Sequence, residues 1–109
     1  MKNLVKIIVT APTTHGDIVR KAVGDVGAGK IGNYIYCSFT TMGIGRSMPQ
    51  TGANPFIGTV GQIESIEEEK IEFVCERGLA KEAISAIRKV HPYDELALEI
   101  YPLIAEEEL

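Results

Sequence analysis

Two histidines and the acidic residues that follow the second one are the side chains best suited to bind a metal ion. His15 lies early in the chain, and His91 opens the segment HPYDE, which ends at Glu95. Two imidazoles and a carboxylate form a ligand set that zinc or copper accepts. The spacing contains no H-x-H or H-x-x-x-H pair, and no cysteine ligand accompanies it. His15, His91 and Glu95 are therefore a candidate site for a divalent metal ion. The alternatives are that His91 complements the dipole at a helix C-terminus and that His15 forms a local hydrogen bond.

A glycine-rich stretch, GDVGAGKI over residues 24–31, resembles a phosphate-binding loop. It matches the pattern G-x-x-x-x-G-K-[ST] through Lys30, but Ile31 stands where a hydroxyl should hold a magnesium ion. The stretch also follows a predicted helix and precedes a predicted strand, whereas a phosphate loop leaves a strand and enters a helix. Gly27 and Gly29 are therefore predicted to end a helix and to form a turn, without binding phosphate.

The segment 41–61, TMGIGRSMPQTGANPFIGTVG, is predicted to be an unusually long loop. Its glycines allow close backbone approach, its prolines stiffen it, and Arg46 is its only cation. Its apolar Met48, Phe56 and Ile57 favour packing against another surface over a free surface loop. No serine or cysteine lies in a pattern typical of a nucleophile, so no catalytic residue is predicted. The candidate ligand-binding residues are Gly43, Gly45, Arg46, Asn54, His91 and Tyr93.

Size and charge exclude several broad classes of function. The chain has 109 residues and a formal net charge of -4, so it is predicted to form one small domain over residues 1–109. The absence of a lysine and arginine cluster argues against nucleic-acid binding. The apolar run 4–9 is too short for a membrane span or a signal-peptide core, so a cytoplasmic protein with no membrane contact is expected. Cys37 and Cys75 are isolated, and we expect buried, unreactive thiols.

The elements that must position these residues follow from the hydrophobic patterns along the chain. Strands are predicted over 4–10, 33–40, 70–76 and 96–101, and helices over 14–26 and 79–90. The third strand could extend back through 60–66, and the glutamates at 64, 67, 68, 69 and 72 are interpreted as a solvated strand face. The order β-α-β-β-α-β is that of an α+β, ferredoxin-like sandwich: a four-stranded antiparallel sheet with two helices on one face.

This topology predicts which parts of the chain meet. Right-handed crossovers place the first and third strands centrally, with the second strand beside the third and the fourth beside the first. One rim then collects His15, the loop 41–61 and the segment 91–95, while the GAGK turn lies at the opposite end. The candidate metal and ligand residues are thus predicted to share one rim of the sheet.

Three motifs in this order and spacing resemble one family. They are GAGKIGNYIYCSF at 27–39, GIGRSMPQTGANPFIG at 43–58 and HPYDELA at 91–97. Together they resemble the small inserted domain of YqfO-type proteins of the Nif-three-like family, often labelled GTP cyclohydrolase type 2-like. The last motif also looks like the ending of CutA, the divalent-cation-tolerance protein. Both groups belong to a CutA/PII-like superfamily of ferredoxin-like trimers, so the resemblance implies this fold and a homo-trimer.

The resemblance also implies that this chain corresponds to an accessory domain, present here as a stand-alone protein. In the family the flanking halves carry a two-metal centre, and no part of this chain resembles those halves, so the hydrolase label is not implied for it. PII-like proteins bind nucleotides and CutA is linked to copper, but neither ligand can be transferred residue by residue. Ser47, Asp94 and Leu96 depart from the family pattern at the rim.

Three functions remain open from the sequence. The first is a non-catalytic, oligomeric ligand-binding or regulatory module, whose partners are further copies of the chain and a small molecule. The second is a CutA-like protein that binds copper or zinc. The third is an enzyme acting on a nucleotide or small phosphorylated compound, with Arg46 on the anion and His91 as acid or base.

Overall fold

Four strands and two helices build the structure, a computed structural model that describes residues 3–109. In chain order they are β1 (Leu4–Pro12), α1 (Gly16–Asp25), β2 (Phe39–Ser47), β3 (Glu64–Glu76), α2 (Ala80–Val90) and β4 (Leu98–Pro102). The strands pair antiparallel in the order β2-β3-β1-β4. The predicted βαββαβ fold and the predicted strand order are confirmed. Within residues 3–109, no helix is long and apolar enough to cross a membrane.

The core lies between one face of the sheet and the two helices. Along β1, Val5, Ile7 and Val9 point to this face and stand opposite alternate residues of β3. Those partners, in the same order, are Cys75, Phe73 and Ile71. The helices contribute Val19, Val23, Ala83 and Ile87 to the same buried cluster. Alternation with period two on the strands and period 3.6 on the helices thus brings one apolar side of each element into the core.

The second strand lies further along the chain than the sequence predicted. Residues 33–38 are irregular, and β2 begins at Phe39 and continues to Ser47 within the predicted loop 41–61. The backbone at Tyr36 has φ of 58°, which an extended strand cannot contain. Gly43 and Gly45 made this part of the chain resemble a loop, because glycine is poor in strands. The irregular connection between β2 and β3 is therefore residues 48–63.

The GAGK turn joins α1 to the central strand β3. Gly27 follows the helix with φ of 94°, which confirms that a glycine ends α1. The N–H of Gly29 donates to the carbonyl of Val74 at 2.8 Å, and the N–H of Cys37 donates to the carbonyl of Gly29 at 2.7 Å. The turn is thus part of the packing at the far end of the sheet. Cys75 is buried as expected, whereas Cys37 is only partly buried.

An ion pair under α1 links the first helix to β3. The Arg20 guanidinium donates to Glu69 Oε1 at 2.6 Å and to Thr40 Oγ1 at 3.1 Å, and it also contacts Asp17. Glu69 is only 8% exposed, so the interpretation of all the glutamates of this region as a solvated face was wrong for Glu69. Gly16 lies directly against the Glu69 carboxylate, and a side chain there would collide with it. The buried carboxylate therefore depends on Arg20 for its neutralisation.

Replacing Arg20 by leucine is expected to destabilise the fold by roughly 1–3 kcal/mol, because it leaves the Glu69 carboxylate buried without its cation. Urea unfolding followed by far-UV circular dichroism measures the change. Lys21→Leu is the matched control, since Lys21 pairs with Asp25 on the surface of the same helix and should matter little. Equal destabilisation by the two substitutions would contradict the role assigned to Arg20.

Candidate functional site

A cavity of about 420 Å³ lies at the rim where β1 ends, β2 ends and the chain leaves α2. Its floor is formed by strand residues on the sheet face that the helices do not cover, and its cover by the connection 48–63. The segment between α2 and β4 closes one side. The lining residues are Thr10, Gly45, Arg46, Ser47, Met48, Pro49, Ala53, Pro55, Phe56, Ile57, Ile66, Glu68, Tyr93, Asp94, Glu95 and Ala97. We call this space the rim cavity.

Four rings hold the connection 48–63 against the rest of the rim. Phe56 lies edge-on to His15, with 5.5 Å between ring centroids, and 6.4 Å from Tyr93. Tyr93 in turn lies 4.8 Å from the ring of His91. Edge-to-face and tilted pairs at these separations are favourable aromatic contacts. Phe56 is thus an anchor of the connection. Met48, Phe56 and Ile57 nevertheless remain 48%, 48% and 45% exposed, so the packing of their side chains against a further surface stays a prediction.

Two polar contacts complete the attachment. The Tyr93 hydroxyl donates to Glu68 Oε2 at 2.7 Å, and the N–H of Asn54 donates to Asp94 Oδ2 at 2.9 Å. Burial, reinforced by the adjacent Glu68 carboxylate, raises the pKa of Tyr93 well above its ordinary value. Tyr93 therefore remains a neutral hydrogen-bond donor at any physiological pH. The Glu68 carboxylate also lies against Gly45, where a Cβ atom would collide with it.

His91 joins the end of α2 to the end of β1. Its Nε2 lies 2.8 Å from the Thr10 carbonyl, and its Nδ1 lies 3.2 Å from the Tyr93 backbone nitrogen. A carbonyl only accepts and an N–H only donates, so these contacts require the neutral imidazole with its proton on Nε2. Burial lowers the pKa of His91 below its ordinary value of 6.5. Both ring nitrogens are occupied, so a metal ion or an acid-base role would require breaking one of these contacts.

The buried neutral state of His91 predicts a pH dependence of stability. Because its pKa is lower in the folded chain, the unfolded chain binds the proton more readily below pH 6.5. The stabilisation is fully present above that pH and is lost as the pH falls through the folded-state pKa. Wild-type protein is therefore expected to lose more stability between pH 8 and pH 5 than His91→Gln, as measured by urea unfolding at both values. An equal loss in the two proteins would contradict this.

The structure gathers most of the predicted ligand residues, with different roles. Gly45, Arg46 and Tyr93 line the rim cavity, and so does Glu95 of the proposed metal set. Asn54 contributes its backbone N–H, and its neighbours line the cavity. Gly43 pairs with Glu68 in the sheet. The rings of His15 and His91 do not line the cavity; they pack against Phe56 and Tyr93 respectively, which do.

The metal set remains a separate hypothesis. Thr14 Oγ1 lies 2.8 Å from His15 Nδ1, so one nitrogen of that ring also has a local partner. Within the described part of the chain, no group of three or more histidine, cysteine, aspartate or glutamate side chains is close enough together to hold a metal ion.

Sequence reasoning missed Glu68 and Asp94 as the two carboxylates that anchor the cover of the cavity. Glu68 lies in a run of glutamates that is typical of a solvated strand. A signal was nonetheless present, since the two glycines of GIG leave room on the neighbouring strand for a carboxylate to lie against the backbone. Asp94 stood out in the sequence only as part of the HPYDE segment and as a departure from the family pattern at the rim.

Comparison with known proteins places the chain among relatives more than three times its length. It is 47% identical over 107 residues to the GTP cyclohydrolase 1 type 2 homolog of Halalkalibacterium halodurans, an alignment that covers 98% of this chain and 29% of that protein. The crystal structure of a Bacillus cereus protein related to NIF3 matches with a TM-score of 0.83 and 41% identity, over 95% of this chain and 26% of the other. No protein-family model matches.

A second group of structures shares the fold alone. The crystal structure of CutA1 from Oryza sativa matches with a TM-score of 0.68 at 15% identity, covering 95% of this chain and 83% of that one. The likeness of fold therefore extends over most of both chains, although few of their residues are identical. Taken together, the comparisons show that the chain is homologous to one segment, between about a quarter and a third of the length, of the GTP cyclohydrolase 1 type 2 homologs and of a NIF3-related protein, and that its fold is CutA/PII-like.

Proposed function

We propose that the chain is a cytoplasmic, homo-trimeric, non-catalytic module that binds a small ligand in the rim cavity and has a regulatory role. The observation that carries the proposal is the cavity itself: about 420 Å³, with apolar and aromatic walls and the carboxylates of Glu68, Asp94 and Glu95 among its lining residues. Small-molecule sites combine such walls with a few polar groups that fix orientation. The two cysteines are both free, which fits a reducing compartment.

Self-association is supported by the surface of β2. This strand is an edge of the sheet, is nine residues long, and carries exposed Phe39, Met42 and Ile44. A long edge strand that carries apolar side chains and no proline or lysine exposes unpaired backbone N–H and C=O groups, which can pair with a strand of another chain. Covering it with further copies of the same chain would protect the edge, and a closed ring of three would leave none of these edges free. The rim cavity begins at the end of the same strand, so assembly would also shape its opening.

Native mass spectrometry of the protein purified without chelator tests the proposal. A trimer that carries additional mass is the expected result, and the mass identifies the class of the ligand. A monomer at micromolar concentration would overturn the assembly. A protein that stays bare and shows no thermal shift with any compound of a metabolite library would overturn the ligand-binding function.

Metal binding through His15, His91 and Glu95 is the second candidate, and the two imidazoles at one rim favour it. Zinc or copper would have to displace the contacts of His91 to Thr10 or Tyr93. Isothermal titration with each metal tests this candidate, since His91→Ala should lower a genuine affinity at least tenfold. Unchanged affinity in the variant would eliminate it.

Catalysis is the function that the site supports least. His91 is the acid-base candidate of the enzyme hypothesis, and it is 8% exposed with both nitrogens bound to protein atoms. A catalytic acid or base must reach the proton that it transfers. Turnover of any compound in a panel of nucleotides and phosphorylated metabolites, lost in His91→Ala, would restore the enzyme hypothesis.

A further inference from the structure

The rim cavity combines aromatic and apolar walls with three carboxylates. From this combination we infer that its ligand is a small organic cation: a primary ammonium group carried on an apolar body, as in an arylalkyl amine. The inference rests on the proposed ligand-binding function and adds the chemical class of the ligand to it.

Glu68 places one carboxylate on the floor of the cavity. It alternates along β3 with Glu69, which points to the helices, so Glu68 lies on the open face of the sheet. Its carboxylate lies over Gly45, where a Cβ atom would collide with it, and its Oε2 accepts the Tyr93 hydroxyl at 2.7 Å. A carboxylate has lone pairs for several donors. Glu68 is thus held in place and can still accept N–H groups from a ligand.

Asp94 and Glu95 add negative charge on the side of the cavity formed by the segment between α2 and β4. Both line the cavity and both are exposed. The Oδ2 atom of Asp94 accepts the N–H of Asn54 at 2.9 Å, which fixes this carboxylate against the cover. One such hydrogen bond leaves the carboxylate able to accept others. An ammonium group, with three N–H donors and a positive charge, matches this side of the cavity.

The basic residues near the cavity do not neutralise these carboxylates. Arg46 is the only basic residue among those that line the cavity. It alternates in phase with Thr40, whose hydroxyl contacts Arg20 of α1, so the Arg46 side chain lies on the helix side of the sheet, away from the floor. Lys70 shares the open face with the floor, but it does not line the cavity and forms no salt bridge within residues 3–109. A bound cation would supply the missing positive charge.

The apolar body of the ligand is matched by the walls. The rings of Phe56 and Tyr93 are tilted by 49° with centroids 6.4 Å apart, and both line the cavity. Met48, Pro55 and Ile57 continue this wall. An aromatic group placed there would add edge-to-face contacts to the burial of apolar surface, and the ring faces also attract a nearby ammonium group. The volume is near the lower end of the range of about 300–1,000 Å³ for small-molecule sites, which suits a compact ligand.

Isothermal titration of the purified full chain with 2-phenylethylamine at neutral pH, where the amine is protonated, tests the inference. The comparison ligands are 2-phenylethanol, which has nearly the same shape and no charge, 3-phenylpropanoate, which is an anion, and ethylamine, which lacks the ring. The protonated amine with its ring should bind at least about tenfold more tightly than each of the three. ATP, whose phosphates would be repelled by the carboxylates, should bind more weakly still.

Two conservative variants remove the charges and keep the internal hydrogen bonds. Glu68→Gln still offers an oxygen to the Tyr93 hydroxyl, and Asp94→Asn still offers one to the N–H of Asn54. Glu68→Gln should weaken 2-phenylethylamine about tenfold and Asp94→Asn about threefold, and neither should change the affinity for 2-phenylethanol. Glu67→Gln is the matched control, because Glu67 is exposed on the helix side of the same strand and does not line the cavity. Its affinity for the amine should equal that of the wild type.

The possible failures are distinguishable. Equal affinity for 2-phenylethanol and 2-phenylethylamine, or tighter binding of 3-phenylpropanoate or ATP, would overturn the inferred ligand class and leave the proposed ligand-binding function standing. Amine binding that Glu68→Gln and Asp94→Asn leave unchanged would place the ligand elsewhere and overturn the assignment. If no amine binds, the inferred class is wrong, and the mass spectrum and library screen decide separately whether the cavity binds a ligand at all.

Discussion

Replacing Met42 and Ile44 together by lysine is expected to prevent the proposed assembly and leave the chain monomeric. Both side chains project from the edge strand β2, where they are 64% and 57% exposed. They lie on the same side of the sheet as the helices but beyond their reach, opposite Glu69 and Glu67 of β3. Nothing in the described chain covers them, and burial between copies is the arrangement that would remove this apolar surface from water.

Two lysines at that position would have to be buried with their charges if assembly occurred. Lysine on an edge strand is a common natural device against strand pairing, so the substitution opposes the proposed contact directly. Loss of the apolar side chains of Met42 and Ile44, together with the cost of removing two lysine charges from water, should weaken association by at least about a hundredfold. The fold of each subunit should survive, because neither side chain belongs to the core.

Sedimentation velocity between about 1 and 100 µM measures the outcome, with circular dichroism as the check on folding. Ile18→Lys is the matched control, since Ile18 is 47% exposed on α1 and lies away from the edge strand. A double variant that assembles like the wild type would exclude β2 from the interface. A wild type that is already monomeric over this range would overturn the assembly itself.

Much of the fold can be predicted from patterns among residues that are close together in the sequence. The strand β3 alternates cleanly, with Ile71 and Phe73 inward and Glu72 outward, and the structure places them so. The helical spacing of apolar residues on α2 and the glycine at position 27 that ends α1 are also patterns of neighbouring residues, and both predicted the structure correctly. Strand order followed from the handedness of crossovers, which is a general rule and needs no knowledge of contacts.

The features that could not be predicted from the sequence depend on contacts between residues that are far apart in the chain. Gly43 and Gly45 are tolerated in β2 because β3 supplies a paired neighbour and Glu68 fills the space beside Gly45. Glu69 could not be distinguished from the exposed glutamates around it until Arg20 was placed above it. The topology was enough to predict that His15, the loop 41–61 and the segment 91–95 share one rim. The hydrogen bonds Tyr93–Glu68 and Asn54–Asp94 were not predictable, because each joins residues far apart in the chain.

Replacing Gly29 by alanine is expected to destabilise the protein by about 3–5 kcal/mol, enough to unfold much of a small domain of ordinary stability. Gly29 has φ of 74°, a backbone conformation that costs an L-residue roughly 1–2 kcal/mol. A Cβ atom there would also collide with the backbone carbonyl of Cys37, which has no side-chain freedom to move away. Relief of the collision would break the hydrogen bonds that Gly29 makes with Val74 and Cys37.

Gly32→Ala separates the two contributions. Gly32 also has a positive φ, 56°, but no atom lies within 4 Å of the position that its Cβ would occupy. It should cost only about 1–2 kcal/mol, from the backbone conformation alone. Urea unfolding of the two variants should therefore give clearly different midpoints, and similar midpoints would show that the Cys37 carbonyl yields easily. Because the cost of Gly29→Ala is one of folding, it should appear equally with and without added phosphate or nucleotide. The glycines of GAGK are thus required by the turn that follows α1 and hydrogen-bonds to β3, and this requirement accounts for the motif without a phosphate ligand.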